Sequence, residues 1–274
     1  MRFSEYEGLC VEVGIDPLIL AGVAALFGLL LGSFATVAAH RIPRHESFAT
    51  GRSKCPSCGH VITAIENIPL LSFIVQRGRC RHCSERISWR YPATELATAA
   101  LFVFAVVRFG VSIEALVYAG LFWVLVVLAV IDLEQRLLPN RVVYPAFIGG
   151  WVALGLAAWI EGSPERLADA AVGAAIFGGL LFLVAFIYPA GMGGGDVKLA
   201  FVLGSFLGYA GGIGVTLVGM FLSFLLGGLI GVVVLIATGG DRKYALPFGP
   251  FLAGGSVIAI VAGLPLLRAY LGAF

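Results

Sequence analysis

The sequence predicts an all-α protein that crosses a membrane about eight times and carries one small cytoplasmic loop domain built to hold zinc. Three observations carry that prediction. Of 274 residues, 59% are hydrophobic and 12% charged, with a mean hydropathy of +0.98, more apolar surface than a soluble core can absorb. The apolar residues gather into runs near bilayer length, the form in which a backbone satisfies its own hydrogen bonds in lipid. Four of the five cysteines form two CxxC pairs inside the single long polar stretch. A net charge of +2 gives no case for nucleic-acid binding.

The first seventeen residues lack a basic region leading into a short apolar core and a small-residue cleavage site, so no cleavable signal peptide is expected. Cys10 has no apolar run before it, which argues against a lipoprotein. Candidate spans run at about 18–39, 93–109, 115–131, 142–160, 168–188, 197–209, 213–237 and 250–271. The sixth and seventh are divided only by "GYAGG". The expected organisation is an N-terminal segment with the first span (1–39), a loop domain (40–92) and a membrane core (93–274). The many glycines of 173–239 are expected to serve close helix packing.

Lys and Arg give the expected orientation. One set of loops (40–92, 132–141, 189–198 and 238–247) holds 14 of the 18 Lys and Arg, Arg52, Arg242 and Lys243 among them. The other four are Arg2, Arg108, Arg166 and Arg268. The rich set belongs in the cytoplasm, which puts both termini outside.

The loop domain reads C-x2-C-x21-C-x2-C through Cys55, Cys58, Cys80 and Cys83. Each CxxC is a tight turn that aims two thiolates at one ion, and two such knuckles complete a tetrahedral zinc site. So short a segment buries little core of its own, and a structural metal would staple it. His60 and His82 stand close by as bystanders. The apolar stretch "ENIPLLSFIV" within the loop is too short to span.

Two carboxylates border apolar runs on the same expected face: Asp132 in "VLAVIDLEQRLLPNR" and Asp196 in "GMGGGDVKLA". Gly193, Gly194 and Gly195 remove side chains on the approach to Asp196, so another chain can come near. Asp196 then lies near a helix N-terminus, where the dipole favours negative charge, and Lys198 is expected to snorkel to the interface. Paired carboxylates at a wet membrane edge suggest aspartyl-protease chemistry, in which the two share a proton and activate water. All four histidines fall in the polar loop, so no Ser-His-Asp triad is expected, and no HExxH motif occurs. "ALPFGPFLA" starts the last span with Pro247, Gly249 and Pro250. It reads as a helix start and as irregular backbone able to receive an extended substrate near the active site.

Together and in order, "GSFATVAAHRIP", the paired cysteines, "ENIPLLSF", "RGRCRHCSERISWRYPATEL", "IDLEQRLLPN", "GMGGGDVKLA" and "PFGPFLA" resemble bacterial type IV prepilin peptidases, the leader peptidases of the GxGD intramembrane aspartyl proteases. The resemblance implies Asp132 and Asp196 as the catalytic pair, with residues 193–196 as the GxGD. It also implies an inner-membrane enzyme that removes a short basic leader from prepilins or pseudopilins, after a glycine at the cytoplasmic boundary. In many members S-adenosylmethionine then methylates the new N-terminus. Thr36 departs from the asparagine of the family pattern. The rival reading is a proton- or cation-coupled transporter using the same two aspartates; a zinc-dependent platform without catalysis is a weaker third.

Overall fold

A computed structural model of the chain describes residues 16–47, 53–189, 192–237 and 246–272. Arg2, Cys10, Arg52, Gly191, Arg242 and Lys243 lie outside the described residues. The helices are α1 (Pro17–Arg41), α2 (Leu71–Val75), α3 (Arg90–Phe109), α4 (Ile113–Gln135), α5 (Asn140–Ile160), α6 (Glu165–Ile187), α7 (Gly194–Ala237) and α8 (Gly249–Leu271). Short 3-10 turns cover Ile42–Arg44 and Ile65–Asn67. Only two isolated β-bridges, Lys54 with Val61 and Arg79 with Arg86, occur among the described residues. The chain divides into two compact units, Met1–Val130 and Ile131–Phe274.

Among the described residues, seven helices are long and apolar enough to cross a membrane. The sixth of these, α7, has 44 residues, about 66 Å at 1.5 Å per residue. That is twice the roughly 30 Å of a bilayer core. It does not run straight. Gly211 (φ −176°, ψ 30°) and Gly212 (φ 68°, ψ −158°) leave the helical region, so the expected division at "GYAGG" is present and eight apolar segments result. The other helix limits fall within a few residues of the expected ones.

In the first unit, Asp16 caps α1 by accepting from the Leu18 N–H at 2.7 Å, and Pro17 supplies a first-turn residue that needs no donor. The buried stripe of α1 is small: Ala24, Gly28, Gly32, Ala35, Ala38 and Ala39. Its large residues point away, with Leu18, Ile19, Leu26 and Phe27 exposed, the reverse of a soluble helix and the arrangement expected against lipid. A Cβ at Gly28 would lie 2.5 Å from the Ala99 Cα, and one at Gly32 2.7 Å from the Glu95 Cα, so α1 and α3 touch at their backbones. The first part of α4 completes the unit. Trp123 donates its indole N–H to the Leu31 carbonyl at 2.8 Å and stacks on Phe34. Tyr118 stacks on Phe109 at 4.3 Å.

In the second unit α7 packs against α5, α6 and α8. A methyl at Gly173 would strike the Gly204 carbonyl, and one at Gly208 the Asp169 carbonyl. These glycines of 173–239 therefore serve close packing, as expected. Buried Ser205, Thr216 and Ser223 return their hydroxyls to carbonyls of their own helix at 2.7–3.0 Å. At the α7 break, Arg166 donates Nε and Nη2 to the Tyr209 carbonyl at 3.1 and 3.0 Å, satisfying an acceptor freed by the interruption.

The stretch "ENIPLLSFIV" is two-faced. Phe73 packs against Trp89 at 4.9 Å and covers Gly78, whereas Leu71, Ile74 and Val75 are exposed.

Candidate active site and metal centre

The two CxxC pairs fold by the same local rule. In each, the N–H of the first cysteine donates to the carbonyl five residues on: Cys55 to His60 and Cys80 to Glu85, both at 2.9 Å. The N–H four residues on returns to the cysteine carbonyl: Gly59 to Cys55 and Ser84 to Cys80, again at 2.9 Å. The fourth residue must adopt a left-handed backbone to close the turn, with φ 70° at Gly59 and 57° at Ser84. Glycine meets that demand without strain; serine does not. The two β-bridges flank the knuckles at matching positions.

The knuckles bring all four sulfurs within 4.8 Å of one another. A tetrahedron with metal–sulfur bonds near 2.3 Å needs sulfurs about 3.8 Å apart, and Cys55 Sγ lies 3.8 Å from Cys83 Sγ. The acid–base chemistry also fits. Backbone N–H groups of Cys58 and Ser57 hold the Cys55 thiol down to about 7. Cys83 moves the other way, up to about 12. There the Glu85 N–H pulls downward, but burial and the neighbouring sulfurs outweigh it. One thiolate forms readily and the last requires a counter-cation, which is the donor chemistry of a metal site. His60 and His82 stack on each other, 3.4 Å between centroids, and fall outside the four-sulfur cluster. The Thr63 N–H and hydroxyl hold nearby Glu66 below the usual carboxylate range.

In the second unit, Asp132 lies in the last turn of α4 and is only 5% exposed. The helix closes behind it: the Arg136 N–H donates to the Asp132 carbonyl at 2.8 Å, and Arg136 adopts φ 53°. Asp196 is half-buried in the first turn of α7, where the Gly193 N–H donates to its carboxylate. The two carboxylates are close enough to feel each other's charge. Gly249, the buried first residue of α8, donates its N–H to Asp132 Oδ2 at 2.9 Å.

The glycines differ in what they make room for. A Cβ at Gly249 would lie 2.7 Å from Asp132 Oδ2, one at Gly195 2.8 Å from the Leu138 Cβ, and one at Gly193 3.0 Å from Asp196 Oδ2. A Cβ at Gly194 would meet nothing. Pro247 is half-buried two residues ahead of Gly249, and Pro250 occupies the first turn of α8. Lys198 finds its partners on α5. It donates Nζ to Asn140 Oδ1 at 2.9 Å and lies 5.2 Å from the Tyr144 ring centroid, because an acceptor and an aromatic face are within its reach.

Three participants escaped the sequence reading. Leu138 is buried and touches the space beside both Gly195 and Gly249; Asn140 holds Lys198. Both lie in the quoted "RLLPN", where an apolar pair before a proline gives no hint of its partners. Glu95, at 7% exposure, accepts from the Leu70 N–H at 2.8 Å. Its signal was a glutamate inside an apolar run.

Comparison with known proteins adds the following. The family model "Bacterial Peptidase A24 N-terminal domain" matches residues 26–109, and "Type IV leader peptidase family" matches residues 119–236. A prepilin leader peptidase/N-methyltransferase of Bacillus subtilis is 37% identical over 257 residues, covering 92% of this chain and 98% of the relative. One from Pseudomonas putida is 35% identical over 278 residues, 92% of this chain and 93% of the relative. One from Aeromonas hydrophila is 34% identical over 289 residues, 94% and 96% respectively. No solved structure matches the chain with significance.

Proposed function

The chain belongs to the type IV leader peptidase family, and from that premise we propose that it cleaves the leader from prepilins and pseudopilins and then methylates the new N-terminus. The observation that carries the reading is the meeting of Asp132 and Asp196, which interact electrostatically in one unit, beside a helix start that donates to Asp132.

The chemistry follows from the pair. Two adjacent carboxylates hold one proton between them. The ionised one takes a proton from water, whose oxygen attacks the scissile carbonyl carbon. The protonated one donates to the carbonyl oxygen, and the proton then passes to the departing amine. The Gly249 N–H orients Asp132, and Gly193 and Gly195 leave room for the Asp196 carboxylate and for Leu138. Pro247 and Gly249 open α8 with backbone that an extended substrate can pair with, and Lys198 braces the start of α7 against α5. The peptide reaches the site from the cytoplasmic face, with both termini of the enzyme outside and lipid around the spans.

Cys55, Cys58, Cys80 and Cys83 would hold zinc in a closed structural site. When bound, S-adenosylmethionine supplies the methyl group, its sulfonium becoming a thioether. The transporter reading loses ground to the family assignment and to the position of both aspartates at helix ends rather than mid-span.

Cleavage of a prepilin-like peptide in detergent tests the proposal. Asp132→Asn and Asp196→Asn should each lower kcat by more than about a hundredfold with metal content intact. Full turnover in either variant refutes it.

A further inference from the structure

The first unit contains a cavity of about 660 Å³ between the end of α1, the metal knuckles and the start of α3. That is the size of a small-molecule site. Its walls join unlike chemistries. Ser33 and Val37 come from α1, Phe73 from α2, and Tyr91 and Glu95 from α3. Lys54 and Arg86 line it from the knuckles.

Glu95 is the decisive residue. It is buried and takes hydrogen bonds from the Leu70 N–H and the Ser33 hydroxyl. Among the described residues no cationic side chain pairs with it. A buried carboxylate with two donors and no cation gains further from a positive partner, and the cavity that Glu95 lines is open to one. We propose that this cavity is the S-adenosylmethionine site and that Glu95 faces the ligand's positive charge. The inference rests on the methyltransferase half of the proposed function and goes beyond it by assigning the residues.

The rest of the lining suits the same ligand. A sulfonium and an ammonium call for a carboxylate. The ligand's own carboxylate calls for a cation, which Lys54 and Arg86 provide. The adenine ring calls for an aromatic face, which Phe73 and Tyr91 provide. Cys55 and Cys80 also line the cavity, so the metal knuckles form part of its wall.

The test is calorimetric titration of the purified, metal-loaded full chain with S-adenosylmethionine and with S-adenosylhomocysteine, its uncharged thioether counterpart. The wild type should bind one S-adenosylmethionine per chain, about tenfold tighter than the thioether. Glu95→Gln, which can still accept from Leu70, should bring the two affinities within about twofold of each other. A fault in folding alone would not erase that preference. Val37→Trp fills the cavity and should weaken both ligands by more than about tenfold, so the test survives even if Glu95→Gln fails to fold. A wild type that methylates but shows unchanged binding in either variant overturns the cavity assignment alone. A wild type that binds neither ligand and leaves the cleaved peptide unmethylated overturns the methyltransferase reading beneath it. If Glu95→Gln weakens only the basic leader peptide, the cavity belongs to the substrate and the proposal fails.

Discussion

Replacing Gly249 by alanine isolates what one backbone N–H does for Asp132. The new Cβ would lie 2.7 Å from Asp132 Oδ2 and 3.2 Å from Leu138 Cδ2. The leucine methyl can rotate away. The carboxylate oxygen must retreat by roughly 0.6 Å to reach ordinary carbon–oxygen contact near 3.3 Å. That motion stretches a hydrogen bond now at 2.9 Å to the limit of bonding. A hydrogen bond to a charged group contributes about 1.5–3 kcal/mol, so its loss from the chemical step should lower kcat about 12- to 160-fold. The kcat effect reports on Asp132, which in the proposed mechanism acts on water and the scissile bond, while any rise in KM reports separately on substrate pairing at the start of α8. Peptide cleavage in detergent gives both constants. Gly228→Ala is the matched control, since a Cβ there meets nothing within 4 Å. A Gly249→Ala enzyme within about twofold of wild type in kcat would refute the reasoning.

Two further predictions concern the metal knuckles. The purified chain should carry one equivalent of zinc, and chelation or Cys80→Ser should open residues 53–89 to protease while the membrane helices stay protected; a metal-free chain with a protected loop would contradict this. Ser84→Gly should stabilise the loop by about 0.5–1 kcal/mol, because Ser84 holds φ 57° where Gly59 serves in the other knuckle. Denaturant-dependent proteolysis would measure the gain, and a loss of stability would count against the matched-knuckle account.

Sequence legibility followed the range of the interactions. The spans could be read because lipid demands a run length, and the division at Gly211–Gly212 because two glycines interrupt one. The four cysteines declare their geometry through local spacing. Asp196 was legible from the three glycines before it. The hydrogen bond from Gly249 to Asp132 was not, since it joins residues 117 apart and nothing in either segment encodes the other. Leu138 and Asn140 were hidden for the same reason. Gly28 and Gly32 were overlooked because α1 reads as an ordinary apolar helix; only its contact with Ala99 and Glu95 gives them meaning. The bond from Lys198 to Asn140 was hidden as well, since it joins residues 58 apart.

The broken helix α7 has a mechanical consequence. Its first part, residues 194–210, rises about 25 Å, roughly 5 Å short of an average hydrocarbon core. Asp196 sits at one end of that short segment. A bilayer meeting a short helix thins around it, and the interface moves inward. Hydrolysis needs water at a carboxylate that a full-length span would carry deeper into oil. A bilayer thinned to match the segment that ends at Gly211 would draw the aqueous boundary toward the aspartate rather than extend the aspartate toward water. Hydrophobic mismatch, usually a cost of assembly, would in the proposed mechanism help to supply the second substrate of the reaction.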